Sequence, residues 1–236
     1  MKISIIIPAY NEELYIGECL KNIEKCLSSD VYEVIVVDNA STDKTAQIAR
    51  SFSFVKLLTE SKKGNSNARK LGADFAQGDF LAFIDADTRM PKDWIEKAKK
   101  EFENKNIIAL SGPYIYYGLS FFNFMQTWIF WNIFTVLMYY ISGSMVVFGN
   151  FIVKKEALKK IGGIDTSIAF YGDDANLARR LQKVGKVLFR RKFVMPSSGR
   201  RLNKEGIIKS GFTYALNFFS EKLFHTQATK EYTDVR

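Results

Sequence analysis

Cysteine is scarce in this chain, and two glycine signatures of nucleotide-binding proteins are missing. The two cysteines, Cys19 and Cys26, stand seven residues apart on a predicted helix. They share a face but lie about 10 Å apart along its axis, too far for a disulfide. A disulfide framework is thereby excluded, and both read as reduced core residues in a cytosolic compartment. No Gly-x-Gly-x-x-Gly and no Walker loop occurs, so dinucleotide-binding and ATP-motor readings lose their main support. Internal repeats and low-complexity tracts are absent too. A signal peptide is not expected, because Lys2 to Ile7 already reads as a first strand. Histidine occurs once. His225 could serve as a metal ligand, but it falls where a helix end is expected. Charge is missing over one long window: none of the 48 residues between Lys105 and Lys154 carries one.

What is present suits one large domain, or a domain with an appendage. The chain has 236 residues, 47% of them hydrophobic, enough to bury a full core. Lysine and arginine number 34 against 25 acids, a formal charge of +9. That excess implies anionic partners: phosphates, lipid headgroups or nucleic acid.

The stretch from Gly78 to Thr88 organises the rest. Its apolar half, Phe80 to Ile84, has the pattern of a strand buried on both faces, and it ends in Asp85 and Asp87. At the carboxyl rim of a parallel sheet, where ligands bind, two such acids can reach a cation. Their hard oxygens suit Mg²⁺ or Mn²⁺ sharing its shell with substrate phosphates. Taken alone, the pair is equally an acidic turn. Strands are also predicted at Ile3–Ile7, Glu33–Val37 and Val55–Leu58, alternating with helices, the first of them capped by Asn11. This alternation argues for a doubly wound α/β sheet. Asp38 ends the second strand, where it can be a turn-former or a partner for a ribose or a base.

The ordered blocks Ile5-Ile-Ile-Pro-Ala-Tyr-Asn-Glu12, Val36-Val-Asp-Asn-Ala-Ser-Thr-Asp43, Gly64…Ala68-Arg69…Gly72 and Asp85-Ala86-Asp87 resemble family 2 glycosyltransferases. Gly149-Asn150, the run Ala157 to Asp165, and Gly172-Asp173-Asp174-x-x-Leu177-x-x-Arg180 continue the resemblance to about residue 190. It implies a GT-A fold and inverting transfer from a nucleoside-diphosphate sugar. The donor site it implies comprises Pro8, Ala9, Tyr10, Glu12, Asp38, Lys63, Arg69, Asp85, Ala86 and Asp87. Asp38 would face the base, Asp85 the ribose, and Asp87, with Asp85, the metal. The family more often has Asn where Lys70 stands, which adds positive charge near the nucleotide. It more often has Glu-Asp where Asp173-Asp174 stands. Inverting chemistry needs a carboxylate to accept the acceptor's proton. Asp174, at the head of the helix carrying Leu177 and Leu181, is the expected base, with Asp173 beside it; one of the pair can also cap that helix. Arg200 and Arg201 stand where bidentate contacts could clamp a diphosphate. The Gln-x-x-Arg-Trp of processive members is absent, which argues against polymer synthesis.

Fourteen of the 34 aromatics fall in the uncharged window. Leu119 to Ile141 is long enough to cross a bilayer, but a single crossing would put Asp85/Asp87 and Asp174 on opposite sides. A helical hairpin, an interfacial helix and a core helix all fit; the aromatic content favours the interfacial or membrane-dipping placement. Asn123, Gln126, Thr127, Asn132 and Thr135 would be costly against lipid unless paired. Seven basic residues against one acid between Arg190 and Lys209, then Ile207, Ile208, Phe212, Leu216, Phe219 and Leu223 at helical spacing, describe a basic amphipathic tail.

The expected organisation is a nucleotide-sugar half over 1–112, an acceptor-side half over 113–195 and the tail over 196–236. The expected function is transfer from a nucleotide sugar to a hydroxyl of a lipid or lipid-linked saccharide, at the cytoplasmic face of a membrane. A polyprenyl-phosphate acceptor is the first alternative; a nucleotidyltransferase and a non-catalytic sugar-nucleotide sensor follow. Nucleic acid is disfavoured, because no reading motif accompanies the basic residues.

Overall fold

A computed structural model describes residues 1–168, 172–224, 226, 228 and 229. His225 and the side chains of Ile208 and Leu223 lie outside this description. The first half alternates strands and helices: β1 (Ile3–Ala9), α1 (Ile16–Glu24), β2 (Val31–Asp38), α2 (Thr45–Arg50), β3 (Val55–Thr59), α3 (Asn65–Phe75), β4 (Phe80–Ile84), α4 (Trp94–Phe102) and β5 (Ile107–Ser111). After β6 (Tyr114–Tyr117), α5 (Phe121–Ile129) runs through a π turn at Phe130–Phe134 into α6 (Thr135–Ser142). Then come β7 (Asn150–Lys154), α7 (Lys155–Lys160), α8 (Asp173–Gln182), β8 (Lys186–Phe189), β9 (Met195–Ser198), α9 (Arg200–Glu205) and α10 (Ile207–Phe224).

Seven strands form one sheet in the order β3-β2-β1-β4-β7-β5-β8. Only β7 runs against its neighbours. The alternation of side chains along a strand sends Ile3, Ile5 and Ile7 to the face covered by α1, α2 and α4. Ile6 points to the other face, under α3, α7 and α8. Burial on both faces is why β1 and β4 read as continuous apolar runs. β6 and β9 pair separately, parallel, and bring the segment after β9 to the rim of β4.

Asn11 does not cap α1, which begins at Ile16. Asn11 sits at φ 52, and its Oδ1 accepts from the Thr42 N–H at 2.8 Å. It joins the two turns that follow β1 and β2. Lys70 also departs from expectation: its ammonium pairs with Asp74 one turn along the exposed face of α3, so its charge is taken up locally.

The uncharged window holds β5, β6 and most of β7, and residues 121–142 between β6 and β7 form one helical rod interrupted by the π turn. No helix among the described residues is long and apolar enough to cross a membrane. Three polar side chains within the rod bond back to it: Thr127 donates to the Phe124 carbonyl, Asn132 to Trp128 and Thr135 to Trp131. Phe121, Phe122, Trp128, Ile133, Leu137 and Ile141 remain exposed. The tail helix α10 is tied to α8, because the buried Glu221 carboxylate accepts from Asn176 at 3.0 Å and from Arg179 at 2.9 Å.

Candidate active site

Parallel pairing puts the carboxyl ends of β1, β2 and β4 on one rim, and β4 delivers Asp85 and Asp87 there. A turn follows at once, closed by the Thr88 hydroxyl on the Asp85 carbonyl at 2.8 Å. Both carboxylates line a cavity of ≈ 290 Å³ with Pro8, Glu12, Arg69, Ala86, Asp173, Asp174, Arg200 and Arg201. That volume lies close to the lower bound of the ~300–1,000 Å³ typical of ligand pockets.

Asp85 is held from two sides. Its Oδ1 accepts from Arg69 at 3.1 Å and its Oδ2 from the Tyr114 hydroxyl at 2.8 Å. Arg69 reaches on to Asp173 Oδ2 at 3.0 Å, with its guanidinium 4.2 Å over the Phe148 ring. Asp173 Oδ1 accepts from the Asp174 N–H at 3.0 Å, and Asp174 Oδ1 accepts from the Phe148 N–H at 3.1 Å. One buried arginine thus ties the acid at the β4 tip to the acids that open α8. Burial alone would lower the Arg69 pKa, but the Asp85 and Asp173 charges outweigh it and keep the side chain cationic. Burial raises the pKa of both Asp173 and Asp174, and for Asp174 the charge of Asp173 adds to the rise. The Tyr114 hydroxyl is pushed up by burial and then by Asp85, so it stays a donor.

Asp87 faces Ser197 and Arg200. Its Oδ1 lies 3.4 Å from the Ser197 hydroxyl and its Oδ2 3.3 Å from Arg200. Arg200 also pairs with the buried Glu12 and stacks 4.3 Å over Tyr15. Arg201 leans towards Glu205 at 3.8 Å. The oxygens of Asp85 are thus engaged by Arg69 and Tyr114, and those of Asp87 lie beside Ser197 and Arg200. Among the described residues no three of His, Cys, Asp and Glu gather into a metal cluster. A hard ion held by one or two carboxylates and completed by substrate phosphates is the Mg²⁺-like arrangement this donor set fits.

Four expected residues stand apart from that cavity. Asp38 is buried at the end of β2, and its Oδ1 has no hydrogen-bond partner among the described residues. An orphaned buried acceptor is costly unless a ligand supplies the donor. Ala9 is engaged through its carbonyl by the Asn39 N–H. Lys63 reaches the Tyr10 hydroxyl at 3.1 Å over that ring. Asn39 anchors the Lys63 loop: its amide donates to the Glu60 and Lys62 carbonyls and accepts from the Gly64 N–H.

Sequence reasoning missed Tyr114, Phe148 and the need for Gly149. A Cβ at Gly149 would lie 2.2 Å from Asp85 Oδ2 and 2.0 Å from the Tyr114 oxygen. The motif block at Gly149-Asn150 marked the position; no local signal marked Tyr114. Gly149→Ala is expected to push Asp85 off Arg69 and Tyr114, lowering stability by roughly 1–3 kcal/mol through overpacking. Turnover should fall on the order of a hundredfold from the misplaced carboxylate. Thermal melts and kinetics would check it; an unchanged variant would mean Asp85 tolerates displacement.

The far end of the cavity is apolar. Phe130, Trp131, Phe134 and Met138 of the rod face Ile207, Gly211, Tyr214 and Phe218 of α10 across it. Burial of one side of the rod against this space leaves its other side outward.

Solved structures share this architecture. A mannosyltransferase of Pyrobaculum calidifontis in complex with GDP-Man and Mn²⁺ superposes with a TM-score of 0.72 at 22% identity, over 93% of this chain and 62% of that one. Glucosyl-3-phosphoglycerate synthase from Mycobacterium tuberculosis, with Mn²⁺, UDP-glucose and glycerol 3-phosphate, gives 0.63 at 18% identity, over 94% and 79%. The fold is therefore GT-A. Among sequence relatives, the glycosyltransferase GlyG of Streptococcus pneumoniae is 25% identical over 94% of this chain and 69% of its own length. The dolichol-phosphate mannosyltransferase of Pyrococcus furiosus is 36% identical over 49% of this chain, which spans only 34% of that protein. Residues 4–162 match the family model for glycosyl transferase family 2, a span that includes the Asp85/Asp87 rim and stops short of Asp173. With two thirds of its length inside that match, the chain is a member of glycosyl transferase family 2.

Proposed function

We propose that this chain is an inverting, metal-dependent glycosyltransferase that works at the cytoplasmic face of a membrane. It moves a sugar from a nucleoside-diphosphate sugar to a hydroxyl of a lipid or lipid-linked saccharide. The observation that carries the reading is that Asp85/Asp87 and Asp173/Asp174 line one cavity whose far end is apolar. The uncovered Asp38 acceptor suits a nucleobase N–H, and the Asp85 carboxylate suits a ribose. Asp87 would hold a divalent cation, which when bound neutralises charge on the leaving diphosphate. Arg200 and Arg201 are within the same cavity and suit the phosphate oxygens.

The acceptor hydroxyl attacks the anomeric carbon as the bond to the diphosphate oxygen breaks, and its proton passes to the Asp174 carboxylate. Attack opposite the departing phosphate inverts the anomeric centre. The Asp174 oxygen is fixed by the Phe148 N–H, and Arg69 keeps Asp173 from competing for the proton. The relatives' names support donors of the GDP and UDP type and a metal such as Mn²⁺.

A lipid phosphate is the second reading, favoured by the dolichol-phosphate mannosyltransferase among the relatives. A phosphate is already mostly ionised near neutral pH, with a second pKa of about 6, and needs no base. The test is a transfer assay with several nucleotide sugars against lipid alcohols, lipid-linked saccharides and polyprenyl phosphates. A glycosylated hydroxyl product is expected; transfer to phosphate alone would overturn the acceptor assignment. Transfer of a nucleotidyl group would overturn the reaction class.

A further inference from the structure

Helix α6 separates two unlike spaces. Thr135 and Met138 face the catalytic cavity. Val136, Tyr139 and Tyr140 face an open cleft on the other side, whose floor is β8 and the Arg190–Phe193 turn and whose wall is α4. The two spaces share no lining residue. A third side of the rod, at Ile133, Leu137 and Ile141, is exposed to solvent.

The cleft is strongly cationic. Lys97, Lys100, Lys186, Arg190, Arg191 and Lys192 line it against a single acid, Glu101. That acid is already neutralised by a two-pronged contact with Arg190 at 2.8 and 3.1 Å. Lys97 is paired with Asp93 at 2.8 Å. Lys100, Lys186, Arg191 and Lys192 have no carboxylate partner among the described residues. Four like charges brought to one concavity repel one another, a cost that an anionic occupant removes. The Tyr139 and Tyr140 rings at its lip, next to an exposed aliphatic stripe, add a surface suited to acyl chains.

We propose that this cleft binds the phosphate headgroup of an anionic membrane phospholipid, with the Ile133–Leu137–Ile141 stripe against the acyl region. It is a docking site distinct from the donor and acceptor cavity, and it rests on the membrane-associated reading above. Anionic lipid at the cleft would turn the neighbouring face of α6, and the cavity behind it, toward the bilayer. Nucleic acid would satisfy the cations but leave the aliphatic stripe in water.

The experiment is flotation with phosphatidylcholine vesicles, with and without phosphatidylglycerol. It compares the wild type with K100Q/K186Q/R191Q/K192Q and with the charge-keeping K100R/K186R/R191K/K192R. The wild type should prefer the anionic vesicles, and the glutamine variant should lose on the order of a hundredfold of that binding. Its binding to neutral vesicles and its donor hydrolysis in solution should be unchanged, and the charge-keeping variant should behave as wild type. Equal wild-type binding to both vesicle types, or a glutamine variant that keeps the preference, overturns the headgroup site while leaving the membrane reading standing. Binding to neither vesicle overturns both. Displacement by millimolar inorganic phosphate, or tighter binding to an oligonucleotide than to vesicles, would reassign the cleft to those ligands.

Discussion

Replacing Asp87 by Ala is expected to lower turnover on the order of a thousandfold, because a cation that neutralises a leaving diphosphate contributes several kcal/mol to the transition state. The fold should survive. Asp87 reaches the Ser197 hydroxyl at 3.4 Å and Arg200 at 3.3 Å, and Arg200 keeps its Glu12 partner and its stack on Tyr15. Titration calorimetry should show weakened Mn²⁺ binding in the variant. EDTA should abolish transfer by the wild type, with Mg²⁺ or Mn²⁺ restoring it, and should do little further to the variant. Full activity of Asp87→Ala would sink the metal assignment. Lost activity with intact metal binding would move the metal to other ligands.

Asp174→Asn is expected to cost between about a hundredfold and ten-thousandfold in turnover, the range of general-base catalysis. Asn keeps an Oδ1 able to accept from the Phe148 N–H, so shape and donor binding should persist while proton acceptance is lost. The pH profile offers a second check. Burial raises the pKa of Asp173 and Asp174, and a base must be ionised to work. The rising limb of wild-type turnover should therefore lie above the ordinary carboxylate range of about 4. Stability runs the other way. Between the unfolded and folded pKa values the folded chain holds a proton that the unfolded chain has lost, so this pair's contribution declines as pH rises through that window. If Asp174→Asn transfers at the wild-type rate, the base role fails and a phosphate acceptor becomes the better reading.

Arg69 shows how far the candidate site could be read in advance. Its place in the motif marked it as functional, but its partners stand 16 and 104 residues away. No local spacing announces that one guanidinium will sit between Asp85 and Asp173. Tyr114 was hidden for the same reason, since an aromatic in a charge-free window carries no sign that its hydroxyl meets a carboxylate. Asp38 was legible as an acid at a strand tip. Its unpaired oxygen emerged only once the surrounding turns were in place.

In the sequence by itself, strands β1 to β4 were legible in the residues; β5, β8 and the antiparallel β7 that complete the sheet were not. Strands buried on both faces must be continuous apolar runs, and their boundaries fall where Asp38, Asp85 and Asp87 interrupt them. The acids at the head of α8 were equally plain, because helical spacing from Leu177 to Leu181 fixes where the helix starts. Tertiary structure alone decided the fate of the uncharged window. A rod of apolar residues satisfies lipid and protein core equally well, since both reward the same loss of apolar surface from water. Here α10, locked to α8 through Glu221, covers part of one side and encloses the cavity's apolar end. The remaining side is not covered by any of the described residues, because chain connectivity sets which surfaces can meet, and residue pattern sets only which surfaces need covering.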